Sequence, residues 1–145
     1  MNGITAVPPQ RMALGLTILR IVVGVVFIAH GAQKLFVFGL AGISAGFSQM
    51  GIPLATIAAP VVTFVELLGG IALVLGLFTR IAAILLAIDM LGAIVLVHFK
   101  NGFFLPTGFE YAFTLLFVMI AIALGGPGEY AVDQRFARRD VTPGV

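Results

Sequence analysis

From Leu54 to Val97 about 44 residues pass with only three firm charges, Glu66, Arg80 and Asp89. As one helix that run would be about 66 Å long at ~1.5 Å per residue. The hydrocarbon core of a bilayer is only ~30 Å thick. The run must therefore fold back on itself. Gly76-Leu77-Phe78-Thr79-Arg80 is the natural place for the turn, with Thr79 as N-cap of the second limb. A tight helical hairpin within lipid follows, and the rest of the chain is built around it.

Two further apolar stretches flank the hairpin. The expected spanning helices cover roughly 12–36, 56–77, 80–99 and 109–124. The chain is 61% hydrophobic and 10% charged, against about 25% charged in soluble domains. The fold class is an all-α membrane protein, a four-transmembrane-helix bundle in one domain over residues 1–145. Gly125-Gly126-Pro127-Gly128 stops the last helix, and 129–145 forms a polar tail. Between the first two segments lies 38–53, punctuated by Gly39, Gly42, Gly46 and Gly51. Ile43, Phe47 and Met50 recur there at helical spacing. A short amphipathic helix in the membrane interface, in the first outer loop, fits that pattern. An ordered loop is the alternative.

The N-terminus, Met1 to Gln10, has two prolines and no basic start, so it does not read as a cleavable signal. The first spanning segment is expected to direct its own insertion. Arg11, Arg80, Arg135, Arg138 and Arg139 fall on one side of the membrane, Lys34 and Lys100 on the other. The excess of basic residues places both termini in the cytoplasm of a multi-pass inner-membrane protein. No basic stripe runs along a face, so nucleic acid is not an expected partner; the lipid bilayer is. With no cysteine, thiolate chemistry and iron–sulfur ligation by this chain are excluded.

Ionisable groups inside the apolar segments need a reason, since each costs several kcal/mol in hydrocarbon. Glu66 and Asp89 fall near the middle of their helices, and Arg20 lies close to that plane. These three are expected to pair as a first cluster. A second is expected near the outer face. His30 and Lys34 are four residues apart and share a helix face with Arg20, Gln33 adds an amide, and His98, Lys100 and Glu110 sit at nearby helix ends. The polar core is thus Arg20, His30, Gln33, Lys34, Glu66, Asp89, His98 and Glu110. A purely structural ion-pair network fits the same residues, and Lys34, Lys100 and Glu110 can reach the interface from helix ends at little cost. Gly69-Gly70, just after Glu66, lets helices approach closely or leaves room for a flat ligand.

These residues also resemble a known family. Leu19-Arg20 with His30-Gly31-Ala32-Gln33-Lys34, Phe47-Ser48-Gln49-Met50-Gly51-Ile52-Pro53, Glu66-Leu67-Leu68-Gly69-Gly70 and Gly76-Leu77-Phe78-Thr79-Arg80 occur in that order. His98-Phe99-Lys100-Asn101-Gly102, Gly108-Phe109-Glu110-Tyr111 and Gly125-Gly126-Pro127-Gly128-Glu129-Tyr130-Ala131-Val132-Asp133 follow. The chain resembles the DoxX family of small four-helix membrane proteins over nearly its whole length. The resemblance implies a bacterial inner-membrane bundle. It also implies a link to redox chemistry, through an association with quinol oxidase and thiosulfate:quinone oxidoreduction.

Three functions compete. The first is a redox-associated subunit that binds a quinone. His30, Gln33, Lys34 and Glu66 supply hydrogen bonds and protons to the head. Phe36, Phe38, Phe47, Phe103 and Phe104 are placed for ring contacts. Electrons would come from a redox-enzyme partner, since the chain carries no evident redox centre. The second is a carrier or binding protein for a small apolar ligand, which would gain from forming a homo-oligomer. The third is a structural anchor for a peripheral enzyme. His30 and His98 lie at similar depth as a haem pair would, but the groups around them are charged rather than shaped for a porphyrin, and the two histidines and scattered acids lack the dense spacing of a metal site. No phosphate loop and no activated serine or threonine occur.

Overall fold

The computed structural model describes residues 9–134, and among them every regular element is helical. Pro9 opens α1, Pro9–Ala32, at a position where its fixed φ and missing N–H cost nothing. α1 then widens into a π-helical segment, Gln33–Phe38. Gly39, at φ +69°, breaks the direction and starts α2, Gly39–Gln49. α3 is Ala55–Leu75. α4 is Thr79–Gly92 and continues through a second π-helical segment, Ala93–His98, into a 3₁₀ turn at Phe99–Asn101. α5 is Glu110–Gly125.

Three continuous helical runs are long and apolar enough to cross a membrane: Pro9–Gln49, Ala55–Leu75 and Thr79–Asn101. The fourth apolar helix, α5, has 16 residues, about 24 Å at ~1.5 Å per residue. It is therefore shorter than the three others. Helix does form within 38–53, as α2, and it packs against α3. The arginines at 135, 138 and 139, and most of the tail at 129–145, lie outside the described residues.

The hairpin turn falls where the apolar run demands it. α3 ends in a pair of bonds from Gly76 N–H to Leu73 O (3.1 Å) and Leu77 N–H to Ala72 O (2.9 Å), with Gly76 at φ +67°. This is a Schellman closure, which needs the left-handed conformation that glycine adopts freely. Thr79 does not cap α4 as its position predicts. Its hydroxyl is buried without a partner. The cap comes instead from Asp133, whose carboxylate accepts from Phe78 N–H (2.7 Å) and Thr79 N–H (2.8 Å). A carboxylate satisfies two amides and opposes the positive end of the helix, which a hydroxyl does less well.

α1 runs antiparallel along α3, and α4 packs on α5. Val23 and Phe27 of α1 meet Leu73, Leu86, Met90, Leu115, Met119 and Ile122 in one buried core. The outward faces are as apolar as the core. Ile18, Val22 and Val25 on α1 and Ile84, Ile88 and Leu91 on α4 are all exposed. Helices apolar all round suit lipid rather than water on the outside. The protein is a membrane protein.

Candidate functional site

The site begins with two helices held unusually close. A Cβ on Gly70 would lie 2.7 Å from Gly24 O, and one on Gly31 would lie 2.6 Å from Leu67 N. Glycine is required where backbones meet this tightly. Gly70 therefore serves close packing against α1, and Gly69 is filled by the side chain of Leu86. Two residues beyond Gly31 the helix opens into its π-helical segment. Such a segment re-aims side chains and is common at functional sites. It carries Lys34, whose Nζ donates to Glu66 Oε2 in the middle of α3. The two side chains are 19% and 6% exposed.

This ion pair forms part of the wall of a cavity of about 500 Å³, within the ~300–1,000 Å³ range of small-ligand sites. Phe27, His30 and Lys34 contribute from the first helical run, Val62, Val65 and Glu66 from α3, and Tyr111, Ala112 and Leu115 from α5. Asp89 comes from α4, near enough to Glu66 and Lys34 to feel both charges. Its Oδ2 is buried and has no hydrogen-bond partner. An unpaired buried oxygen costs about 1–3 kcal/mol, and with the Glu66 carboxyl beside it the site calls for a proton between the two acids or for a donor from a ligand. Lys34 has three N–H groups, of which one serves Glu66. The cavity can thus both give and accept a hydrogen bond among apolar walls. The ring of His30 lies 6.0 Å from that of Tyr111. Tyr111 was not singled out by sequence, although it directly follows Glu110 in a recognisable motif.

The remaining expected site residues divide. His98 lines the cavity, with Nδ1 3.0 Å from Thr107 O. Glu110 does not join it. Its carboxylate accepts from Leu105 N–H at 2.9 Å and so ties the α4–α5 loop. Gln33 and Lys100 are exposed and away from the cavity wall.

Arg20 is not paired with Glu66 or Asp89, and the expected mid-membrane trio does not form. Arg20 is 1% exposed. Its guanidinium donates to Leu73 O (2.6 Å) and Val74 O (2.8 Å), to Pro127 O (2.8 Å) and to Tyr130 O (3.2 Å). The physical reason is helix geometry. Leu73 lies seven residues past Glu66, about 10 Å along the axis. There the last carbonyls of α3 have no i+4 amide partner, the only amide that Leu73 O accepts from being Gly76 N–H of the turn, and they form a negative pole that attracts a cation. The chain after α5 supplies the other acceptors. Thr17 Oγ1 donates to Glu129 O at 2.5 Å, Glu129 N–H to Ala13 O at 3.2 Å and Asp133 N–H to Gly76 O at 2.9 Å. Residues 127–133 thus form a strap binding α1 to the α3–α4 turn. No group of three His, Asp or Glu residues able to hold a metal ion occurs among the described residues.

The DoxX family model matches residues 15–99. Membrane protein Rv3486 of Mycobacterium tuberculosis is 35% identical over 88% of this chain and 84% of its own. A Bacillus subtilis protein named "Putative oxidoreductase CatD" is 35% identical over 86% of this chain and 88% of its own. Inner membrane protein YphA of Escherichia coli is 30% identical over 83% of this chain and 89% of its own. No solved structure matches the chain.

Proposed function

The chain belongs to the DoxX family, and from that premise we propose that it is a redox-associated membrane subunit that holds the head of a quinone in the cavity beside Lys34, Glu66 and Asp89. The observation that carries this reading is the unpartnered Asp89 oxygen next to a Lys34–Glu66 pair in an otherwise apolar cavity. In the reduced form one quinol hydroxyl oxygen accepts from Lys34 while the hydroxyl across the ring donates to Asp89; in the oxidised form a quinone carbonyl accepts from Lys34. His30 and His98 also line the cavity, and imidazoles are suited to pass protons. Electrons come from a partner enzyme. The name of the Bacillus subtilis relative points the same way.

In this reading the bundle sits in the bacterial inner membrane with four spans. α5, with 16 residues, completes the crossing through local thinning of the bilayer around it. α2 lies along the outer interface, and both termini face the cytoplasm.

The test is the quinone that co-purifies with the protein. Wild type, Glu66→Gln and Asp89→Leu are extracted from the same membranes and assayed per mole of folded protein. The expected result is a several-fold loss in both variants, larger for Asp89→Leu. Equal quinone content in all three would sink the proposal.

A further inference from the structure

Resting on the quinone reading of this cavity, we infer that its ligand enters and leaves sideways, from the lipid, through a gap between α3 and α4 with Gly92 at its edge. The two helices are closed at their hairpin end. There a Cβ on Gly69 would lie 3.1 Å from Leu86 Cγ, and the turn is latched by Asp133. Toward the other end they part. A Cβ on Gly92 would meet nothing within 4 Å, although Gly92 lines the cavity. Val61 of α3, Ile88 of α4 and Leu96 of the π-helical segment after it line the cavity and are also exposed on the outer surface of the bundle, at 54%, 62% and 47%. The cavity wall is therefore continuous with the lipid-facing surface at this gap.

The other directions are more crowded, although Met50 and Tyr111 also reach the surface, at 39% and 42%. Toward the strap, Phe27, Leu73, Leu86, Met119 and Ile122 form a buried layer. Toward the loops, Phe47, Met50 and Ile52 stand along the cavity. The α4–α5 loop there is fastened by His98 to Thr107 and by Glu110 to Leu105. The polar groups lie deep and the gap is apolar. The ligand this shape takes has a compact hydrogen-bonding head at Lys34 and Asp89 and an apolar tail trailing into the bilayer.

Gly92 makes the gap testable. It has ordinary helical angles, φ −59° and ψ −45°, so a leucine there is unstrained and projects into open space. The chain has no cysteine, and Ala112 is buried on the cavity wall supplied by α5. Ala112→Cys in liposomes is treated with N-dodecylmaleimide, which partitions into lipid, or with a charged water-soluble methanethiosulfonate. Labelling by the lipid-dissolved reagent is expected to dominate. Adding Gly92→Leu is expected to slow it by at least an order of magnitude. Gly15→Leu, whose Cβ also meets open space but on α1 away from the cavity, is expected to leave the rate unchanged. Leu115→Cys repeats the experiment from a second wall position. An unchanged rate with Gly92→Leu, or faster labelling by the charged reagent, overturns the lateral gap.

The quinone reading is tested separately, by titrating decylubiquinone and its tail-free benzoquinone head into the protein. Gly92→Leu is expected to weaken the tailed molecule more than the head alone. Loss of maleimide access with no quinone binding in wild type would keep the gap and remove the quinone.

Discussion

Lys34 and Glu66 depend on each other in a way that can be measured. Breaking a buried ion pair leaves one charge without its counter-ion and costs about 3 kcal/mol or more, whereas removing both costs much less. Lys34→Met and Glu66→Met are each expected to lower the unfolding temperature in detergent, and the double variant is expected to recover most of the loss. Additive effects in that double-mutant cycle would mean that the pair is not coupled. Arg20 behaves differently, because its partners are carbonyls. Arg20→Met is expected to free the 127–133 strap, seen as faster proteolysis near Gly128 and Tyr130 with Glu66 and Asp89 unaffected. The contrast shows what a sequence conveys about charge. It displays Arg20, Glu66 and Asp89 as three complementary ions at similar depth. It does not display the carbonyls of a helix end, which are invisible as residue types yet hold Arg20.

At the scale of elements, the apolar run and its glycine turn were enough to place the α3–α4 hairpin. The glycines after Leu124 mark the end of α5, whereas the first helix, expected over 12–36, already includes Pro9 and its helical run continues through 33–38 into α2. Two features lay beyond pattern. The π-helical segments at Gln33–Phe38 and Ala93–His98 have no compositional mark, yet they carry Lys34 and His98 toward the cavity. The cap of α4 comes from a residue far along the chain, whereas local reading names Thr79. Asp133→Ala is expected to cost about 1 kcal/mol, the usual worth of an N-cap. Hydrogen exchange at the amides of Phe78 and Thr79 should rise with it. The glycines also separate into two kinds. Gly70→Ala pushes a methyl into the α1 backbone and is expected to destabilise by about 1–3 kcal/mol. Gly92→Ala enters open space in a helix and is expected to be neutral or stabilising by up to ~1 kcal/mol. Thermal melts of the two variants side by side test that ordering, and equal losses would count against the α1–α3 contact as drawn.

Across the whole molecule, polar chemistry is concentrated at two heights. One is the cavity around Lys34, Glu66 and Asp89, and the other is the strap around Arg20 and Asp133, with an apolar layer between. A chain ending at Gly125 would keep all five helices but lose several acceptors of Arg20 and the cap of α4 at one stroke. Its unfolding temperature should fall by more than that of Asp133→Ala, while the spectroscopic helix content remains. The order of synthesis gives the strap one more meaning. Helix α1 leaves the ribosome well before residues 127–133 do, so it is handed to the membrane while Arg20 still lacks part of its set of acceptors. Assembly in the cell is therefore completed from the distal end backwards, and a translocon or chaperone that shields α1 during that interval is guarding a guanidinium whose final partners have not yet been translated.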